Sequence, residues 1–161
     1  MTGIEQRLVC DGVRFKSVKD AKFKTMRISV SFMLPLREDT AAGNALLPFL
    51  LSRASREYPD FTKLAQRLSE LYGASINADV LKLGDAQVMS VSVSGLADRY
   101  ALDGENISGE LSSLLCSVIF DPPLEDLSLI HILWLPRRSH RPDFGTGTIR
   151  HYFQYSSRVD F

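Results

Sequence analysis

The sequence predicts an α+β fold, an antiparallel sheet with helices packed on one face, and three observations predict it. In the run Arg27–Leu34, the residues Ile28, Val30, Phe32 and Leu34 recur at every second position, the period of a strand with one buried side. From Phe61 onward, Leu64, Ala65, Leu68, Leu71 and Tyr72 recur instead at helical spacing. The elements follow the order ββααββα, with helices paired in the middle and strands joined by short turns, an order that favours one layered sheet.

Taken in order, the first 36 residues read as extended chain. Val13, Phe15 and Val18 alternate loosely before the clearer run that ends at Leu34, and Lys16, Lys19, Lys22 and Lys24 crowd the intervening turn as a solvated hairpin end. After Pro35, Asp39–Thr40 supplies an N-cap for a helical stretch through Ala54. Its centre, Ala45 to Leu51, is apolar all round and is expected to be buried. Pro48 cannot donate to the carbonyl of Asn44, which favours a kink or break there, and two pieces at a bend or one continuous helix are equally open. Asp60 caps the next helix and Gly73 ends it as the residue able to take φ > 0. A strand over 74–81 turns at Leu83-Gly84-Asp85 into a second one, where Met89, Val91 and Val93 alternate with Ser90, Ser92 and Ser94. The last helix starts near Asn106, carries Ile107, Leu111, Leu114, Leu115, Val118 and Ile119 on one stripe, and stops at Phe120-Asp121-Pro122-Pro123.

A chain of 161 residues is one domain, or one domain with an appendage, and 45% hydrophobic residues suffice for a core. No apolar run reaches the roughly 18 residues that span a bilayer, and the first residues lack a signal-peptide apolar region. A cytoplasmic chain with no membrane partner is the expectation. Cys10 and Cys116 read as free thiols. The net charge of zero argues against a protein built mainly to hold nucleic acid. It hides an asymmetry: residues 1–126 hold 14 Lys and Arg against 17 Asp and Glu, whereas residues 127–161 hold 5 Arg against 2 Asp, all three histidines and the single Trp.

The body, residues 1–126, contains no histidine. That removes Ser-His-Asp and Cys-His nucleophile systems and every zinc site built on His, and two distant cysteines cannot make a four-cysteine site. The glycines are scattered as turn and cap residues with no phosphate loop among them. The adjacent acids Glu38-Asp39 and Glu125-Asp126 read as caps and dipole partners, and Cys116 as an inert buried thiol on the apolar stripe of the last helix. No catalytic, cofactor-binding or metal-binding residue is expected, and no cofactor.

Four blocks carry a resemblance: Lys22-Phe23-Lys24-Thr25 with Ile28-Ser29-Val30, then Asn44-Ala45-Leu46-Leu47-Pro48, then Glu57-Tyr58-Pro59, then Leu71-Tyr72-Gly73-Ala74 with Asn77-Ala78. In order and spacing they resemble the insulinase (pitrilysin-type) metallopeptidase family over about residues 13–126. Within that family they resemble an inactive bacterial branch linked to the 5-aminopentanone (5-aminopentanol) modification of elongation factor P. Active members carry His-x-x-Glu-His on the first helix after the second strand, two histidines holding zinc and the glutamate activating water. The corresponding stretch here, Gly43 to Arg56, has neither His nor Glu. The family's remaining ligand, a glutamate, comes from a helix further on, where the resemblance has ended.

The resemblance therefore implies the N-terminal part of a longer, truncated, inactive homologue with the family's half-module fold. It further implies an active insulinase-family zinc peptidase as heteromeric partner, with a peptide or elongation factor P as substrate. Two alternatives stay open: an active zinc metallopeptidase with its ligands beyond the truncation, or nucleic-acid binding through the Arg-rich tail.

That tail begins where the resemblance stops. Leu127-Ser128-Leu129-Ile130-His131-Ile132 is the translation of CTGTCTCTTATACACATC, a transposase mosaic end used in sequencing libraries, and no sustained apolar period follows it. The chain is thus expected to divide into residues 1–126, the insulinase-like part, and residues 127–161, a non-native, adapter-derived or disordered tail. His131, His140 and His151 match no ligand spacing. Arg137, Arg138, Arg141, Arg150 and Arg158 with Trp134, Tyr152 and Tyr155 are the residues that would hold single-stranded nucleic acid.

Overall fold

A computed structural model describes residues 3–123 and, as backbone, residues 150–156. The strands are β1 (Gly3–Cys10), β2 (Val13–Lys19), β3 (Thr25–Pro35), β4 (Ser75–Leu83), β5 (Ala86–Leu96) and β6 (Arg150–Ser156). The helices are α1 (Ala41–Leu51), α2 (Phe61–Glu70) and α3 (Ile107–Phe120), with two short 3-10 turns between β5 and α3. The strands form one sheet in the order β1-β2-β6-β3-β5-β4. Every pairing described is antiparallel except β2 with β6, which is parallel. The expected α+β layer is present, with one core between the sheet and its helices.

The core follows the two periods that predict it. Met26 and Val30 of β3 and Val91 and Val93 of β5 meet Leu64 and Leu68 of α2 and Ile107, Leu111, Leu114, Leu115, Val118 and Ile119 of α3. Registry places Val30 opposite Val91 and Ile28 opposite Val93, so the apolar rows of β3 and β5 fall on one face. The serines fall on the other face, where the Ser31 and Ser90 hydroxyls lie 2.8 Å apart and Arg27 Nη2 donates to Ser92 Oγ at 3.0 Å. Gly95 lets α3 approach: a Cβ there would stand 2.7 Å from Cδ1 of Leu111.

The caps agree in part. Asp60 accepts a hydrogen bond from the Lys63 N–H at 2.8 Å, and Asn106 from that of Gly109 at 3.0 Å. Thr40 flanks α1 but makes no side-chain cap. At the end of α2 the left-handed turn takes two residues: Tyr72 (φ +59) precedes Gly73 (φ +71). Tyr72 thus leaves the apolar face of α2, and its hydroxyl donates to Glu105 Oε2 at 2.6 Å while accepting the Leu102 N–H at 3.1 Å.

Three expectations need correcting. The opening 36 residues hold three strands, because Asp11-Gly12, with Gly12 at φ +76, turns β1 back on β2 before β3 begins. Helix α1 ends at Leu51 and not at Ala54, and of the two readings left open it is the continuous one, with Pro48 inside it. Nor is α1 buried all round: Pro48 and Leu51 are buried, but Leu46, Leu47 and Phe49 are exposed, since α1 lies across β4 and β5 at the margin of the layer. Of the tail, residues 150–156 form β6, while residues 124–149 and 157–161, with Glu125, Asp126, His131, His140, Arg137, Arg138, Arg141, Arg158 and Trp134, lie outside the described residues.

Candidate functional site

Helix α1 is where the resemblance to the insulinase family would place zinc ligands. The hairpin β4–β5 positions its first turn: Gln87 Nε2 donates to the Ala41 carbonyl at 3.0 Å, and the Leu36 N–H donates to the Asp85 carbonyl at 2.8 Å. Gln87 is buried, and its Oε1 has no hydrogen-bond partner. From Ala41 to Leu51 the helix carries no ionisable side chain. Its outward residues Leu46, Leu47 and Phe49 offer neither a proton donor nor a metal ligand, and the missing N–H of Pro48 breaks the regular bonding of the turn between them.

The blocks that carry the resemblance have structural work. Asp20 Oδ1 accepts the Lys22 N–H at 3.0 Å, and Arg99 binds the carbonyls of Ala21 and Phe23, which fixes the turn between β2 and β3. Glu57-Tyr58-Pro59 lies in the loop that seats α2: the Ser55 N–H donates to the Tyr58 carbonyl at 2.9 Å, and the Tyr58 N–H to Ser55 Oγ at 3.1 Å. The same loop reaches the end of α3, where Arg56 pairs with Asp121 at 3.2 Å.

Among the described residues, no group of three or more His, Cys, Asp and Glu is close enough to hold a metal ion. The perturbed ionisable groups are structural. Asp39 is held below the usual carboxylate range, chiefly by its hydrogen bond from Arg37. Burial raises the Tyr58 phenol, helped by Glu57. Burial pulls Arg67 down, but hydrogen bonds to Glu70 and Glu110 outweigh it. Tyr72 is raised by its bond to Glu105. No carboxylate among these is pushed towards the neutral form that a general acid would need.

A groove of about 550 Å³ runs beside α3, between its flank of Ser108, Ser112 and Cys116 and the strand residues Phe15, Ile28 and Val30. Cys116 is therefore exposed, which corrects its expected burial: it lies one position past the stripe formed by Leu114, Leu115 and Val118. Cys10 is also free and exposed.

No family model matches the chain. The chain is 32% identical over 114 residues to the probable inactive metalloprotease YmfF of Bacillus subtilis (strain 168), a match covering 71% of this chain and 27% of that protein. The chain thus spans about a quarter of the length of that relative. Among solved structures, a conserved protein from Enterococcus faecalis V583 superposes with a TM-score of 0.75 at 23% identity, over 95% of this chain and 48% of that one. A protease from Helicobacter pylori gives 0.59 at 10% identity, over 81% and 29%. The peptidase M16 inactive domain from Pseudomonas fluorescens gives 0.53 at 19% identity, over 80% and 29%. These likenesses establish the fold.

Proposed function

The chain is an insulinase-like metallopeptidase homologue, and from that premise we propose that it is catalytically inactive and serves as the non-catalytic partner of an active zinc peptidase. One observation carries the reading: where the active family needs His-x-x-Glu-His, α1 presents Leu46, Leu47 and Phe49 around an internal Pro48, with no His or Glu from Gly43 to Arg56. The Bacillus subtilis relative, a probable inactive metalloprotease, supports the inactivity. In this reading the protein is bacterial and cytoplasmic, walls one side of a substrate chamber, and acts on elongation factor P modification or on a peptide only through its partner. The elongation factor P link rests on the resemblance of the four sequence blocks. The proposal takes residues 127–161 as adapter-derived, and an independent amplification across the Asp126/Leu127 junction is expected to lose the mosaic-end bases.

Zinc content by mass spectrometry, with hydrolysis of a fluorogenic peptide before and after chelation, tests inactivity. Less than stoichiometric zinc and no chelator-sensitive hydrolysis are expected. Stoichiometric zinc with hydrolysis by this chain alone would overturn the proposal. Co-purification with an active insulinase-family peptidase of the same organism tests the partnership, which fails if the two do not associate.

A further inference from the structure

We propose that β1 is the seam of a symmetric dimer, two copies of this chain pairing edge to edge in an antiparallel register centred on Gln6. β1 closes one end of the sheet, paired with β2 on one side and, among the described residues, with nothing on the other. All its residues are exposed, and its apolar ones stand far into solvent, Ile4 at 70% and Leu8 at 66%. Such an edge offers a row of open backbone donors and acceptors to another strand.

Charge on an edge strand usually prevents that pairing, and Glu5 and Arg7 are the charges here. Their signs and spacing reverse the effect. With Gln6 of one copy opposite Gln6 of the other, Glu5 faces Arg7 and Ile4 faces Leu8, each pair occurring twice about the two-fold axis, and the bulge between Leu8 and Cys10 ends the regular stretch. Directly opposite residues are the pairs that stabilise a sheet, and these are ionic and apolar. Sliding the register by two residues places Glu5 opposite Glu5 one way and Arg7 opposite Arg7 the other, which is repulsive in both cases. The Arg7 guanidinium lies over the Phe15 ring of β2, 5.3 Å from its centroid, on the face that Glu5 shares, and it exchanges that contact for the second copy's Glu5 on the other side of β1. One strand's edge is a small surface, so the dimer is weak and concentration-dependent.

Sedimentation of the 161-residue chain over a concentration series tests this. The expected result is a monomer–dimer equilibrium that Glu5→Arg weakens by about tenfold or more, since two attractive pairs become repulsive. Mixing Glu5→Arg with Arg7→Glu restores association, because the charges again oppose. With Cys10 and Cys116 replaced by Ser, Gln6→Cys forms a disulfide dimer on mild oxidation, because opposed Cα atoms in such a row stand ~4.5–5.5 Å apart. A monomer at every concentration overturns the proposal, as does a dimer indifferent to Glu5→Arg or one that Gln6→Cys fails to cross-link.

Discussion

Gly95 shows how much one side chain's absence decides. Its bare Cα lets Leu111, which is fully buried, seat α3 against β5, and an added methyl would meet Leu111 at 2.7 Å with Ala74 close behind at 3.4 Å. Gly95→Ala is expected to cost about 1–3 kcal/mol through overpacking, read by urea denaturation, whereas an unchanged midpoint would show that Leu111 has room to move. Asp60 contributes through one bond to the Lys63 N–H, so Asp60→Ala is expected to cost ~1 kcal/mol. Tyr72 sets a pH limit. Glu105 raises its phenol above the ordinary 10.0, and the protonated hydroxyl is the form that bonds. A group raised in the folded state stabilises fully below its unfolded pKa and loses that contribution as pH climbs through the folded value. Stability should therefore fall in the alkaline range above the ordinary tyrosine value, and Tyr72→Phe should flatten that part of the fall in a denaturation series.

At the scale of elements, α1 and α2 differ in what their sequences disclose. α2 alternates apolar and charged residues around its circumference and opens on a capping Asp60, so its face, start and end are legible without a structure. α1 is apolar on every side, and a uniform surface has no period from which to tell inside from outside; only packing across β4 and β5 selects Leu51 for the core and leaves Phe49 in water. Leu64→Ala should therefore cost about 2–5 kcal/mol, while Leu46→Ala, half exposed, should cost well under that and reduce aggregation instead. Equal losses in thermal denaturation would contradict the packing described. β1 was illegible for a related reason: with every residue exposed, it buries no alternate row. The lack of histidine in residues 1–126 and of His or Glu on α1 needs no coordinates to read.

Over the whole molecule, the sheet order of the 161-residue chain gives β6, although it falls in the stretch proposed to be adapter-derived, a part that its sequence did not announce. Its backbone lies between β2, from Val13 to Val18, and β3, from Arg27 to Met33. Among the described residues, the β1–β2 hairpin reaches the rest of the sheet through β6 alone, whereas β3, β5 and β4 pair directly and carry the helices. Removing residues 127–161 should therefore divide the fold unequally. In hydrogen exchange, the amides of Val13–Lys19 should lose protection while those of Val91 and Val93, at the centre of the core, keep most of theirs. The open edge of β3 and the unsupported hairpin would then expose unpaired backbone and apolar surface together, so residues 1–126 should self-associate in size-exclusion chromatography. If those residues instead run as a monodisperse monomer with β2 still protected, the hairpin is held by its turn to β3 and by Arg99, and β6 is dispensable. If protection is lost everywhere, the core itself depends on the strand that closes the gap. The intermediate outcome, a stable helical half beside a loosened hairpin, is the one that this strand order requires.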